Sequence, residues 1–178
     1  KDYHMNIFHD FIVRQRLKKI GKSILSQTVY RYDPGDRIGI NLIEKGIWFT
    51  PDMELAKSYI RDRVDTHIIP SKFYQTKLRK LKNFLVVDCL NNHYRVVNPE
   101  SCLLSGKIEP AFGTTDSLAS QAKTAGYDAV IFINVKENDR QISSCSICVF
   151  NATVYLEHLK DISDQIEDIS IKRSVLYK

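Results

Sequence analysis

The run Phe84-Leu85-Val86-Val87-Asp88 constrains this chain more than any other stretch. Four consecutive apolar residues are too few for a buried helix, and they leave neither face of a strand polar. Such a run belongs inside a sheet covered on both sides. Residues 128–133 and 146–150 supply two further strands, the second read as the last core strand. Shorter strands are expected at 29–32 and 46–50. A weak alternation over residues 74–81 suits an edge strand.

Helical signals stand between and around these runs. Ile7, Phe8, Phe11, Ile12, Leu17, Ile20 and Ile24 recur at the spacing of an amphipathic N-terminal helix. Thr50 as cap and Pro51 at the first helical position open a helix to about residue 61. It has Met53, Leu55, Ala56, Tyr59 and Ile60 available for burial. Thr114-Thr115-Asp116 caps another helix, which ends at Ala125 before Gly126. Val154, Tyr155, Leu159, Ile162, Ile166 and Ile169 suit a C-terminal helix, single or broken in two. A turn is expected at 33–36, with irregular chain at 62–74, 91–113 and 134–144. Strands and helices mix without regular βαβ alternation, which predicts an α+β fold. The expectation is one domain over 1–178, with a core at about 28–152 and helical flanks at 1–27 and 153–178.

The 43% apolar share is ample for a core, and no apolar run approaches the ~18 residues that cross a bilayer. That predicts a soluble protein. No signal-peptide pattern stands at the start, and the first residue is Lys1, so the reading leaves room for a preceding segment. Cys145 and Cys148 form a CxxC, but Cys89 and Cys102 are too far apart in sequence to be the second half of a zinc site. Buried, reduced thiols are expected, compatible with a reducing compartment, and no metal. The net charge of +5 gathers at Arg14, Arg16, Lys18, Lys19 and Lys22, and again at Lys77, Arg79, Lys80 and Lys82. Such clusters suit anionic partners, a dinucleotide or nucleic acid among them. The plainer reading of each is a solvated face.

Three segments, in order, resemble the ADP-ribosyltransferase superfamily. The first is Val29-Tyr30-Arg31, an aromatic residue and a cation on a first strand. The second runs from Gly46 through Trp48, Phe49, Thr50 and Ala56 to Tyr59. It is similar to the strand and "A-x-x-Y" helix that form a nicotinamide pocket. The third joins Gly126-Tyr-Asp-Ala-Val-Ile131 to Ser146-Ile-Cys-Val-Phe-Asn151, similar to "GYDGVI" and a final "EYVVFN" strand. The resemblance spans about residues 28–152. It implies a split β-sheet core and NAD as substrate. Its implied cofactor-binding residues are Arg31, Tyr32, Trp48, Phe49, Thr50 and Tyr59, with Lys57 and Ser58 on the adjoining helix. Arginine supplies a planar fork of donors to a phosphate or ribose oxygen. Aromatic faces accept a cationic ring. Taken singly, Arg31 suits a surface pair with Asp33 or Asp36, and Trp48 and Tyr59 suit ordinary core.

The family's pattern departs at one place. A glutamate usually heads the last strand, where it binds the ribose and offsets the cation formed as the nicotinamide bond breaks. Here Ser144-Cys145-Ser146 stands in that position. Either the acid comes from Glu137 or Asp139 in the preceding loop, with Gln141 as helper, or catalysis is weak or lost, or the chain carries a substitution. The plainer reading of Glu137 and Asp139 is a solvated loop. The catalytic candidates are therefore Arg31, Glu137 and Ser146. The implied function is mono-ADP-ribosylation of a macromolecule, protein or nucleic acid. Such an activity suits a bacterial or phage toxin or effector delivered to a target-cell cytosol. The alternatives are an inactive module of the same fold that binds a nucleotide or protein, and a basic nucleic-acid-binding domain.

Overall fold

The run at 84–88 forms a strand whose four apolar side chains are all buried. The computed structural model describes residues 2–33, 46–61, 71–97, 99–109, 113–137 and 143–167. Their order is α1 (Asp2–Leu25), β1 (Thr28–Asp33), β2 (Ile47–Phe49), α2 (Met53–Arg61), β3 (Lys72–Leu78) and β4 (Phe84–Asp88). Then come β5 (Leu103–Leu104), α3 (Thr115–Thr124), β6 (Ala129–Lys136), β7 (Ser143–Val149), α4 (Ala152–Tyr155) and β8 (Leu156–Asp161). The fold is mixed α+β, as expected. Among the described residues no helix is long and apolar enough to cross a membrane.

The strands form a three-stranded sheet, β1-β3-β8, and a five-stranded sheet, β2-β7-β6-β4-β5. Alternation along the strands sorts the side chains into layers. Leu85, Val87, Val130, Phe132 and Cys148 face α3, where Leu118, Ala119 and Ala122 meet them. Val86, Ile131, Ile147 and Val149 face the other way and join Val29, Tyr74 and Leu78 of the smaller sheet in one shared core. Leu17, Ile24 and Leu25 of α1 close that core. On the far side of the smaller sheet, Tyr32 and Phe73 pack against Ala56 and Ile60 of α2. Each large apolar side chain so buried contributes about 1.5–3 kcal/mol.

Several expectations are corrected. The C-terminal helix is a single turn, α4, followed by a strand. β8 pairs antiparallel with β3, so the core extends well past residue 152. Val154 and Leu159, read as positions of that helix, are exposed, and Leu159 lies on β8. β3 is the central strand of its sheet rather than an edge. In α1 two of the expected apolar positions do not face the core: Phe11 and Ile12 are exposed. The α2 cap is Asp52, whose carboxylate accepts the amides of Glu54 and Leu55 at 2.9 and 3.1 Å. The expected α3 cap stands, with Thr114 Oγ1 accepting the Ser117 amide at 3.2 Å and Gly126 at φ +87 ending the helix. The turn beyond Asp33, most of the 62–74 connection, and Asp36, Asp139, Gln141 and Ile169 lie outside the described residues.

α1 crosses the sheet at Gly21. A Cβ there would stand 2.5 Å from the Phe84 ring and 2.7 Å from Val86. Helix propensity alone would make Gly21→Ala stabilising by about 1 kcal/mol. Overpacking of the core outweighs this at about 1–3 kcal/mol. Gly21→Ala is therefore expected to lower the urea midpoint, and a raised midpoint would refute this packing.

Candidate active site

Among the described residues the two sheets meet at one bridge, between Tyr30 and Thr50. The Tyr30 amide donates to the Thr50 carbonyl at 2.8 Å, and the Thr50 amide donates back at 3.0 Å. Beyond the bridge lies a cleft of about 410 Å³. Arg31, Tyr32, Trp48, Phe49, Thr50, Tyr59, Glu137 and Ser146, expected from the sequence to bind cofactor or catalyse, all line it.

β1 supplies the cation. Alternation puts Arg31 on the face of Val29, between the sheets. Its Nη1 donates to the Trp48 carbonyl at 3.2 Å, and its Nε lies 3.6 Å from Asp33 Oδ2. Asp33 is fully buried and the Arg31 side chain is 17% exposed, so this is no surface pair. The guanidinium is tethered at the edge of the cleft.

β2 supplies the aromatic wall. Trp48 stacks on Phe132 with ring centroids 5.6 Å apart. It stays half-buried and turned to the cleft rather than sealed in the core. Thr50 fixes the start of the next helix. Its hydroxyl donates to the Cys145 carbonyl at 2.8 Å and accepts the Asp52 amide at 3.0 Å. Helix α2 thus starts in register with β7. Leu55, Ala56 and Tyr59 of α2 then face the cleft. Lys57 and Ser58 do not. Lys57 pairs with Glu54 at 2.9 Å, and Ser58 bonds to the Leu55 carbonyl at 2.7 Å.

The carboxylate arrives from an unexpected direction. Glu137 follows the last residue of β6 and is buried, 7% exposed, not solvated. Tyr59 Oη donates to one carboxylate oxygen and Ser146 Oγ to the other. A β-bulge explains this reach. β6 pairs Phe132 with Ser146 but Val135 with Ser144, so β6 holds one extra residue. Phe132 and Val135 are three apart, and alternation would put them on opposite faces, yet both lie in the α3-side core. Val135 therefore shares the face of Phe132 and its partner Ser146, and Glu137, two further on, shares it too. Asn134 takes the left-handed turn of the bulge at φ +52, and its side-chain Nδ2 donates to Asp88 Oδ1 at 2.9 Å. Ser144 instead bonds to the Val135 carbonyl at 2.9 Å.

The remaining walls were missed from sequence: Tyr30, Tyr94, and Thr115 with Asp116 at the start of α3. Tyr94 is placed by backbone bonds, its amide to Lys136 O at 3.0 Å and its carbonyl to the Thr115 amide at 2.9 Å. Its only signal was an aromatic residue between His93 and Arg95 in a polar loop.

The two free thiols of the CxxC pack into different cores. Three residues apart on β7, Cys145 packs against the inter-sheet core and Cys148 against the α3 side. Burial pushes both thiols up to about 12, with Glu137 adding to the rise at Cys145 and Asp116 at Cys148. A hydrogen bond from Cys89 lowers Cys102 instead, while this partner and burial raise Cys89. The chain matches no protein-family model, and comparison with curated proteins and with solved structures finds no match.

The thiols and the bulge can each be probed. At neutral pH a lowered thiol holds more thiolate, so iodoacetamide is expected to alkylate Cys102 first. Peptide mass mapping should find Cys145 and Cys148 unmodified until the protein is denatured. Asn134→Val puts a β-branched residue at positive φ, at a cost of about 1–2 kcal/mol. Asn134→Gly relieves that strain and should be the more stable of the two. Equal melting points would argue against the bulge.

Proposed function

We propose that the protein is an NAD-dependent mono-ADP-ribosyltransferase in which Glu137, rather than a residue of β7, is the catalytic carboxylate. One observation carries the reading: a buried carboxylate, held by Tyr59 and Ser146, in a cleft edged by Arg31 and walled by Trp48. Two sheets splaying from one bridge also fit the split core that the sequence resemblance implies.

Each part suits a part of NAD. Arg31 offers donors to the pyrophosphate or a ribose oxygen. Trp48 presents a π face to the cationic nicotinamide. Glu137 accepts a ribose hydroxyl and lies where positive charge would develop at the anomeric carbon. The bond from that carbon to the nicotinamide nitrogen breaks, and its electron pair leaves with neutral nicotinamide. The acceptor's nucleophile forms the new bond and releases a proton. Tyr59 and Ser146 position the carboxylate, so it needs little reorganisation during the step. The uncharged Ser146 is the argument for an inactive module, and a carboxylate bonded to that serine weakens it.

The test is incubation with NAD labelled on its adenylate half in cell lysates, with nicotinamide release monitored in parallel. Wild type should label a macromolecule and release nicotinamide. Glu137→Gln, nearly isosteric, should slow both by about 10²–10³-fold. Ser146→Glu alone should also be poor, since it sets two carboxylates together. The exchange Glu137→Ser with Ser146→Glu should recover part of the loss. Undiminished activity in Glu137→Gln would remove Glu137 from the mechanism. Absence of labelling and of nicotinamide release by wild type across several lysates would sink the transferase itself.

A further inference from the structure

Residues 14–32 and 71–87 contain no Asp or Glu, and they carry six and five basic residues respectively. The fold brings these segments side by side. Ile24, Leu25 and Val29 of the first share one core with Leu78, Leu81 and Phe84 of the second. Thr28 pairs directly with Lys77. Arg16, Lys18, Lys19, Lys22, Lys77, Arg79, Lys80 and Lys82 are all exposed along the outside of this junction. Arg79 meets Glu157 at 2.7 Å. None of the other seven is paired with a carboxylate among the described residues.

Neighbouring unpaired cations repel one another, and a polyanion relieves this while releasing counterions. We infer that this face binds the phosphate backbone of nucleic acid without sequence preference. Lys18 and Lys22 lie one above the other on α1, about 6 Å apart along its axis. With the 77–82 segment they form a broad cationic field. The other polyanionic partners fit less well. A membrane-surface helix needs large apolar side chains among its cations. The 71–87 segment exposes none, and on α1 the exposed Phe11 and Ile12 precede the cations. A protein interface needs an aromatic or apolar anchor at its centre, which the face also lacks. β1 runs from Thr28, beside Lys77, to the cleft residues Tyr30 and Arg31. At about 3.3 Å per residue, bound nucleic acid would lie roughly 10 Å from the cleft.

The test is fluorescence anisotropy with mixed-sequence oligonucleotides, single-stranded and duplex, without NAD. It is therefore independent of the cleft's chemistry. Salt is varied from about 50 to about 200 mM. Wild type is compared with Lys22→Gln/Lys80→Gln/Lys82→Gln and with Lys107→Gln/Lys123→Gln/Lys136→Gln, which removes the same charge elsewhere. The first triple should bind at least about tenfold more weakly and flatten the log–log salt slope by about two. The second should change the slope by less than about one. Equal losses in the two triples, no binding at the lowest salt, or binding confined to phosphatidylserine vesicles would overturn the inference.

Discussion

The bridge between Tyr30 and Thr50 sets the geometry of everything around the cleft. Two backbone hydrogen bonds hold the small sheet to the large one at this point, and the strands diverge from it. The consequences run in sequence. Arg31, next along β1, is brought against the Trp48 carbonyl. Thr50, held by its backbone, turns its hydroxyl to Cys145 on β7 and to the Asp52 amide. Asp52 then caps α2, and α2 presents Tyr59, whose hydroxyl reaches Glu137. A disturbance at the bridge would therefore reach both the cation and the carboxylate.

Burying a carboxylate is costly unless hydrogen bonds replace its water. At Glu137 the replacements come from two elements far apart in sequence, α2 and β7. The side chain is thus fixed only when both sheets and α2 are assembled. The bulge in β6 is the other requirement. Without the extra residue, Glu137 would lie on the opposite face from Ser146, in the direction of the inter-sheet core. A non-glycine residue at positive φ is tolerated at Asn134, where its side-chain Nδ2 bonds to Asp88.

The same bulge marks the limit of what the sequence could reveal. Apolar runs such as 84–88 were legible because burial on both faces leaves an unmistakable composition. Trp48, Thr50 and Tyr59 were legible as an ordered pattern, although the helix cap is Asp52, two residues beyond the threonine that the pattern suggests. Glu137 could be nominated but not placed, since nothing in Asn134-Val135-Lys136 declares that one residue is extra. β8 was misread for a different reason. Its side chains are mostly exposed, so Leu156 to Asp161 carries no alternating signal, and its composition is that of a helix surface. Pairing with β3 decides its conformation, a tertiary effect that outweighs local preference. Phe11 and Ile12 were misread because at about 100° per residue they turn more than about 90° away from the stripe of Val13, Leu17, Ile20 and Ile24 that packs on the core.

The division of labour between the sheets also bears on the proposed chemistry. The small sheet contributes the guanidinium, and the large sheet contributes the carboxylate and Trp48. A ligand that carries an anionic pyrophosphate at one end and a cationic ring at the other matches such a pair of walls. Because the carboxylate is already anchored by two hydroxyls, the proposed interaction with a developing cation would cost little reorganisation. Ser146, which looks from sequence like a lost catalytic group, is in the folded chain a donor that holds the carboxylate in place.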